Sequence, residues 1–72
     1  MVEKFPVLNA RQVNRVLRKN GFIKISQKGS HQKWRALDGR QVIVADHGGK
    51  PIPTGTLKSI IAGAKLSVDD FR

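Results

Sequence analysis

The chain has 72 residues, with fourteen Lys and Arg against five Asp and Glu, a formal charge of +9 and no cysteine. A chain of that length is expected to form a single domain over residues 1–72, with a thin core. The lack of cysteine excludes disulfides, a cysteine-ligated zinc and a thiol nucleophile, and the charge points to a polyanionic partner, of which nucleic acid is the commonest.

An anionic membrane surface is the competing partner, but no segment pairs a wide apolar face with a Lys-rich one. The longest apolar runs are a few residues, too short to span a bilayer. Met1-Val2-Glu3-Lys4-Phe5-Pro6 leads into polar sequence without the apolar core of a secretory signal, so a cytoplasmic location is expected.

Asn9 is a preferred helix N-cap, and Ala10, Val13, Val16 and Leu17 follow at helical spacing. Gly21, after Asn20, supplies the left-handed residue that ends the helix. Arg11, Arg15 and Arg18 fall on another face, either a solvated surface or a stripe for phosphate or a protein partner. Phe22 to Ser26 alternates as a first strand, Gln27-Lys28-Gly29-Ser30 reads as a turn, and His31 to Leu37 as a second strand. Asp38-Gly39 is a strong hairpin signal, and Arg40 to Ala45 reads as a third strand. Asp46 to Pro53 is too rich in Gly and Pro to be regular. Thr54 can cap a second helix whose apolar stripe is Leu57, Ile60, Ile61 and Ala64. Ser67 with Asp70 forms a weak capping box for a last turn, stapled by Leu66 and Phe71.

The expected fold is therefore α+β, in the order α-β-β-β-α with a short C-terminal helical turn. A three-stranded antiparallel sheet is covered on one face by two helices, the layout of the double-stranded-RNA-binding fold. A two-residue loop at Asp38-Gly39 pairs Trp34 with Ile43 and Ala36 with Gln41 on the covered face. His31, Lys33 and Arg35 then lie opposite Asp46, Val44 and Val42 on the open face. Asp46 could orient His31 in that register. Trp34 is expected in the core, with stacking on an RNA base as the less favoured use.

RNA carries its own nucleophile, the 2′-hydroxyl, so cleavage requires a base and positive charge near the phosphate. Histidine is the side chain suited to that proton transfer near neutrality. His31 follows Gly29-Ser30 at the start of a strand, where Gly29 permits a close phosphate approach and Lys28, Lys33 and Arg35 can stabilise developing charge. Ser30 and His31 point to opposite sides of a strand, so Ser30 serves the turn rather than a nucleophilic pair. Taken alone, a histidine is more often a surface residue without a task. The five carboxylates are scattered, which disfavours a metal-dependent nuclease; no metal or cofactor is expected, and the products would be a 2′,3′-cyclic phosphate and a 5′-hydroxyl. His47 could be a second acid–base group, a phosphate contact or an idle loop residue. Gly48-Gly49-Lys50, followed by the Thr54-Gly55-Thr56 helix start with its free amides and with Lys50 and Lys58 nearby, is either a phosphate cradle or an ordinary loop before a capped helix.

Three motifs occur in order: Gly29-Ser30-His31, then Asp46-His47-Gly48-Gly49-Lys50, then Gly55-Thr56-Leu57-Lys58-Ser59-Ile60. Together they resemble the HicA (YcfA-like) toxins of toxin–antitoxin modules, over nearly the whole chain from Asn9 to Phe71. The one departure is Ala45-Asp46, where that family often has a proline shortly before the histidine. The resemblance implies a type II toxin that is an mRNA-cleaving endoribonuclease, with His31 as the catalytic residue, neutralised by a cognate HicB antitoxin. The RNA contacts expected beside it are Lys28, Gly29, Ser30, Lys33, Arg35, His47, Lys50 and Lys58. The alternative is a module that binds structured RNA without cutting it. A DNA-binding role is weaker, since the first helix lacks a helix-turn-helix partner. The small size and short apolar stripes point to a monomer when free.

Overall fold

Asn9 sets where the first helix begins. In the computed structural model, which describes residues 5–72, its side chain accepts a hydrogen bond from the Gln12 amide while the Gln12 side chain accepts one from the Asn9 amide, both at 2.9 Å. This reciprocal cap satisfies donors that a helix start otherwise leaves without partners. Helix α1 (Ala10–Lys19) follows, and Gly21 at φ +88° takes the left-handed position after it. Ala10, Val13 and Leu17 are buried, whereas Arg11, Arg15 and Arg18 are exposed. The stretch Met1 to Lys4, read above for a signal segment and holding the carboxylate of Glu3, lies outside the described residues.

Three strands, β1 (Phe22–Lys28), β2 (His31–Ala36) and β3 (Gln41–Ala45), form an antiparallel sheet in the order β1-β2-β3. Strand β1 runs two residues further than its alternation indicates. Gln27 and Lys28 belong to the ladder, and the turn is Gly29-Ser30 alone. Gly29 lies at φ +60° and Ser30 does not, the arrangement of a type II′ hairpin turn.

The second hairpin departs from the expected register. The observed pairs are His31 with Ala45, Lys33 with Ile43, Trp34 with Val42 and Arg35 with Gln41. The loop is three residues rather than two. Gly39, at φ +96°, donates its amide to the Ala36 carbonyl at 3.0 Å, and the Ala36 amide donates to the Arg40 carbonyl at 2.9 Å. Such a loop places a left-handed glycine last. Shifting the pairing by one residue turns β3 over. Val42 and Val44, expected on the open face, are buried, and Ile43, expected beside Trp34, is 44% exposed. The placement of Trp34 in the core and of His31, Lys33 and Arg35 on the open face is unaffected, because both belong to β2.

Arg40 locks this hairpin to the helical layer. Its guanidinium pairs with Asp38 at 2.8 Å, donates to the Ala64 carbonyl at 2.6 Å, and lies 4.9 Å from the centre of the Phe22 ring. The hydrogen bond from Arg40 holds the Asp38 carboxyl below the usual carboxylate range. Its contribution is present above the unfolded-state value and fades as pH falls through the folded one.

Helix α2 (Thr54–Ala64) begins without the expected threonine cap. Pro53 occupies the cap position with no side-chain hydrogen bond, and Thr54 is already helical. Leu57, Ile60, Ile61 and Ala64 are buried, as their spacing requires. A 3-10 turn (Val68–Phe71) follows, with the Ser67–Asp70 capping box in place and Phe71 buried. The two helices cover one face of the sheet, and Trp34, Phe22, Leu17, Leu57, Val13 and Val44 are the largest fully buried side chains. The result is the α+β, double-stranded-RNA-binding-like layout. Within the covered layer, Asn14 donates to the Gln32 side chain at 2.7 Å, and both residues are buried. No helix among the described residues is long and apolar enough to cross a membrane.

Candidate active site on the open sheet face

The open face carries His31 because of where the first turn ends. A two-residue turn at Gly29-Ser30 makes Lys28 the direct partner of His31 on one side, and Ala45 is its partner on the other. Paired residues share a face, so Lys28, His31 and Ala45 form one row across the sheet. Lys33 and Arg35 follow along β2 on the same face, each step about 7 Å. His31, Lys28 and Arg35 are exposed and Lys33 is half-buried.

Lys28 reaches this row only through an irregularity in β1. Lys24 pairs with Trp34, but the next pair is Ser26 with Lys33, leaving Ile25 as an inserted residue. This β-bulge reverses the alternation beyond it. Ser26 and Lys28 therefore face outward with His31, while Gln27 falls beside Gln32 on the covered side. Periodicity alone could not find this, since Ile23, Lys24, Ile25 and Ser26 fit an uninterrupted strand as well.

The expected orienting role of Asp46 is not what the structure shows. Ala45 stands across from His31, and the Asp46 carboxylate turns back to accept from the Gly48 amide at 3.0 Å. The Asp46 amide donates to the Ser30 carbonyl at 2.8 Å, so half-buried Ser30 serves the turn as expected. Arg35 is held in place by two hydrogen bonds to the Gln41 side chain, at 3.0 and 2.7 Å. No acidic side chain lies in the rows built on His31, Lys33 and Arg35. The three rows carry a one-signed field interleaved with exposed Ile23 and Ile43.

The loop after β3 divides the remaining candidates. His47 and Lys50 line a recess of about 450 Å³ with Ala45, Pro51, Ile52, Pro53 and Thr56. Gly48 and Gly49 open on the other side, into a recess of about 330 Å³ shared with Asn9, Arg11 and Asp46. The two halves of the expected cradle thus serve different surfaces. The loop is tied down by the Ile52 amide, which donates to the Leu8 carbonyl at 2.8 Å, and by a bridge between Asn9 and Pro51. Lys58 stands apart: its ammonium lies 5.5 Å from the centre of the Phe5 ring, on the side of α2 lined by Ile61, Ala62 and Val68. Thr56, read with the second helix start, lines the recess beside Lys50; Arg11 was not singled out for the loop, because nothing local in the sequence brings α1 to it. Among the described residues no three His, Cys, Asp or Glu side chains are grouped to hold a metal ion.

With this geometry in view, the sequence profile of the HicA toxin of bacterial toxin–antitoxin modules matches residues 10–66. The chain belongs to the HicA toxin family. The matched span takes in α1, all three strands, the loop after β3 and α2. As a HicA-family chain it is the toxin of a toxin–antitoxin module, with a cognate antitoxin as partner. A comparison with curated proteins gives no match.

The HicA-family motif Gly29-Ser30-His31 has a local physical demand. Gly29 adopts a positive φ with open space around the position a Cβ would take, so a side chain there meets backbone strain rather than a clash. Gly29→Ala is expected to cost about 1–2 kcal/mol, read as a lowered urea midpoint. It should also weaken any activity that depends on how the turn presents His31.

Proposed function

We propose that the chain is a metal-independent endoribonuclease that cleaves mRNA on its open sheet face, with His31 as general base. The observation that carries the reading is the row Lys28–His31–Ala45 with Lys33 and Arg35 beyond it, an exposed imidazole set among cations. His31 takes the proton of a ribose 2′-hydroxyl, and the oxygen so freed attacks the adjacent phosphorus. The bond to the 5′-oxygen breaks, and that oxygen takes a proton from water. A 2′,3′-cyclic phosphate and a 5′-hydroxyl remain. Lys28, Lys33 and Arg35 stabilise the charge that builds on the phosphorus oxygens, while Gly29 and Ser30 let the backbone come close to it. His47 and Lys50 contact the same strand of RNA from the neighbouring loop.

The antitoxin is inferred to be of HicB type, acidic, and seated over the open face. Exposed Ile23, Ile25 and Ile43 among the cations suit a partner that is both apolar and negative, and its on-rate should fall with salt. A complex that leaves His31 open to solvent would argue against direct blockade.

The test is to express the wild type and His31→Ala and compare growth arrest and RNA integrity, then assay the purified proteins with and without EDTA. Cleavage by the wild type in EDTA, with cyclic-phosphate ends and loss in His31→Ala, is expected. Equal toxicity of both proteins, or RNA binding without cleavage by either, would replace the enzyme with a binding module. An absolute magnesium requirement would remove the metal-independent route.

A further inference from the structure

We propose that the recess beside His31 is a subsite for one nucleobase, so that the substrate is a single-stranded or locally unpaired stretch of RNA rather than a continuous duplex. This deepens the reading above and rests on RNA being bound at His31. Three features argue for it. The first is continuity. Hydrogen bonds from the Ala36 amide to Arg40 and from the Asp46 amide to Ser30 fix which pairs of the β2–β3 ladder are hydrogen-bonded, and His31–Ala45 falls between them. In such a pair the two residues approach most closely, with Cα atoms about 4.5 Å apart. Ala45 also lines the recess, which therefore begins next to the histidine.

The second is chemistry. The recess is lined by Ala45, Pro51, Ile52 and Pro53 together with His47, Lys50 and Thr56. A largely apolar lining with a few polar groups suits a flat heterocycle whose faces are apolar and whose edge is polar. The volume of about 450 Å³ falls within the roughly 300–1,000 Å³ of small-ligand sites.

The third is the backbone. β3 is an edge strand, and a residue in a non-hydrogen-bonded pair directs its own N–H and C=O away from its partner strand. Ala45 thus offers a donor and an acceptor, held rigid by the sheet, at the margin of the recess. A base stacked and paired inside an A-form helix cannot reach them; one splayed out of a single strand can. The fold's usual recognition of RNA by shape would then be supplemented here by the reading of one base.

The test uses His31→Ala protein titrated with each of the four ribonucleoside 3′-monophosphates and followed by amide NMR. Saturable shifts at Ala45, His47, Lys50 and Thr56, with affinity differing between bases, are expected, and Thr56→Trp should abolish them by filling the recess. In parallel, wild-type protein should cut unpaired RNA with a preference at one flanking position. Thr56→Trp with His31 intact should lose that preference and about tenfold or more in kcat/KM. Shifts that bypass the recess, or a Thr56→Trp enzyme with unchanged preference, would overturn the subsite. If the recess titrates but the wild type cuts no RNA, the subsite stands and the nuclease reading fails. Should Thr56→Trp not fold, the titration of the unfilled recess decides alone.

Discussion

Replacing His31 with alanine is expected to slow RNA cleavage by about 10²–10⁴-fold, the usual contribution of a positioned general base. The effect should fall on kcat, with KM little changed, because Lys28, Lys33 and Arg35 remain to hold the phosphate. Stability should change by no more than about 0.5 kcal/mol, as for an exposed position outside the core. His31 is exposed at the first residue of β2 and its side chain has no hydrogen-bond partner among the described residues, so the fold does not depend on the imidazole. Single-turnover cleavage of a short RNA, with a thermal melt alongside, checks both halves. A variant that melts like the wild type and cuts at the wild-type rate would exclude His31 as the base.

Trp34→Ala should produce the largest loss of stability, about 3–5 kcal/mol. Trp34 is the largest fully buried side chain and is 1% exposed, beneath α1, with the Arg18 guanidinium 5.1 Å from its ring centre. A chain of this length holds on the order of 4–11 kcal/mol in all, so the substitution removes about a quarter of it at least. Each lost kcal/mol lowers the melting temperature by about 4–8 °C. Trp34→Phe should cost clearly less. It keeps most of the apolar volume and removes an indole N–H that has no hydrogen-bond partner among the described residues. Urea denaturation of the three proteins measures the order; a Trp34→Ala cost under about 1 kcal/mol would contradict the central place of Trp34 in the core.

These two residues also mark how much was legible beforehand. Elements announced themselves where a side chain caps or packs locally: Asn9 before α1, Gly21 after it, Ser67 with Asp70, and the stripe of α2 all lie where their chemistry requires. Trp34 inside and His31 outside followed from alternation along a single strand. Pairing between strands was harder. Val42, Ile43 and Val44 are all β-branched, so they fit either face, and only the conformation of Gly39 decides which. The same register set the neighbours of His31, replacing Asp46 with Ala45 and removing a carboxylate from its surroundings. Lys28, Lys33 and Arg35 were found because they are close in sequence. Arg11 was not, because α1 meets the loop only through the closure of the whole fold. The lack of a threonine cap on α2 has a simple cause: Pro53 already supplies a restricted φ before the first turn, at −55°.

The inserted Ile25 has a consequence for how such a chain can vary over time. The stretch between Gly21 and Gly29 joins a helix end to a hairpin turn, and its residue count decides which side chains face which layer. Removing one residue would straighten the ladder. With the turn held in register, Phe22 would stay opposite Ala36 in the core; a further insertion without a second bulge would instead carry Phe22 out of it, whereas exchanging Ile23 or Ile25 for another β-former would disturb little. Descendants of this chain should therefore tolerate many different letters in β1 and the loss of its inserted residue, but not a further insertion.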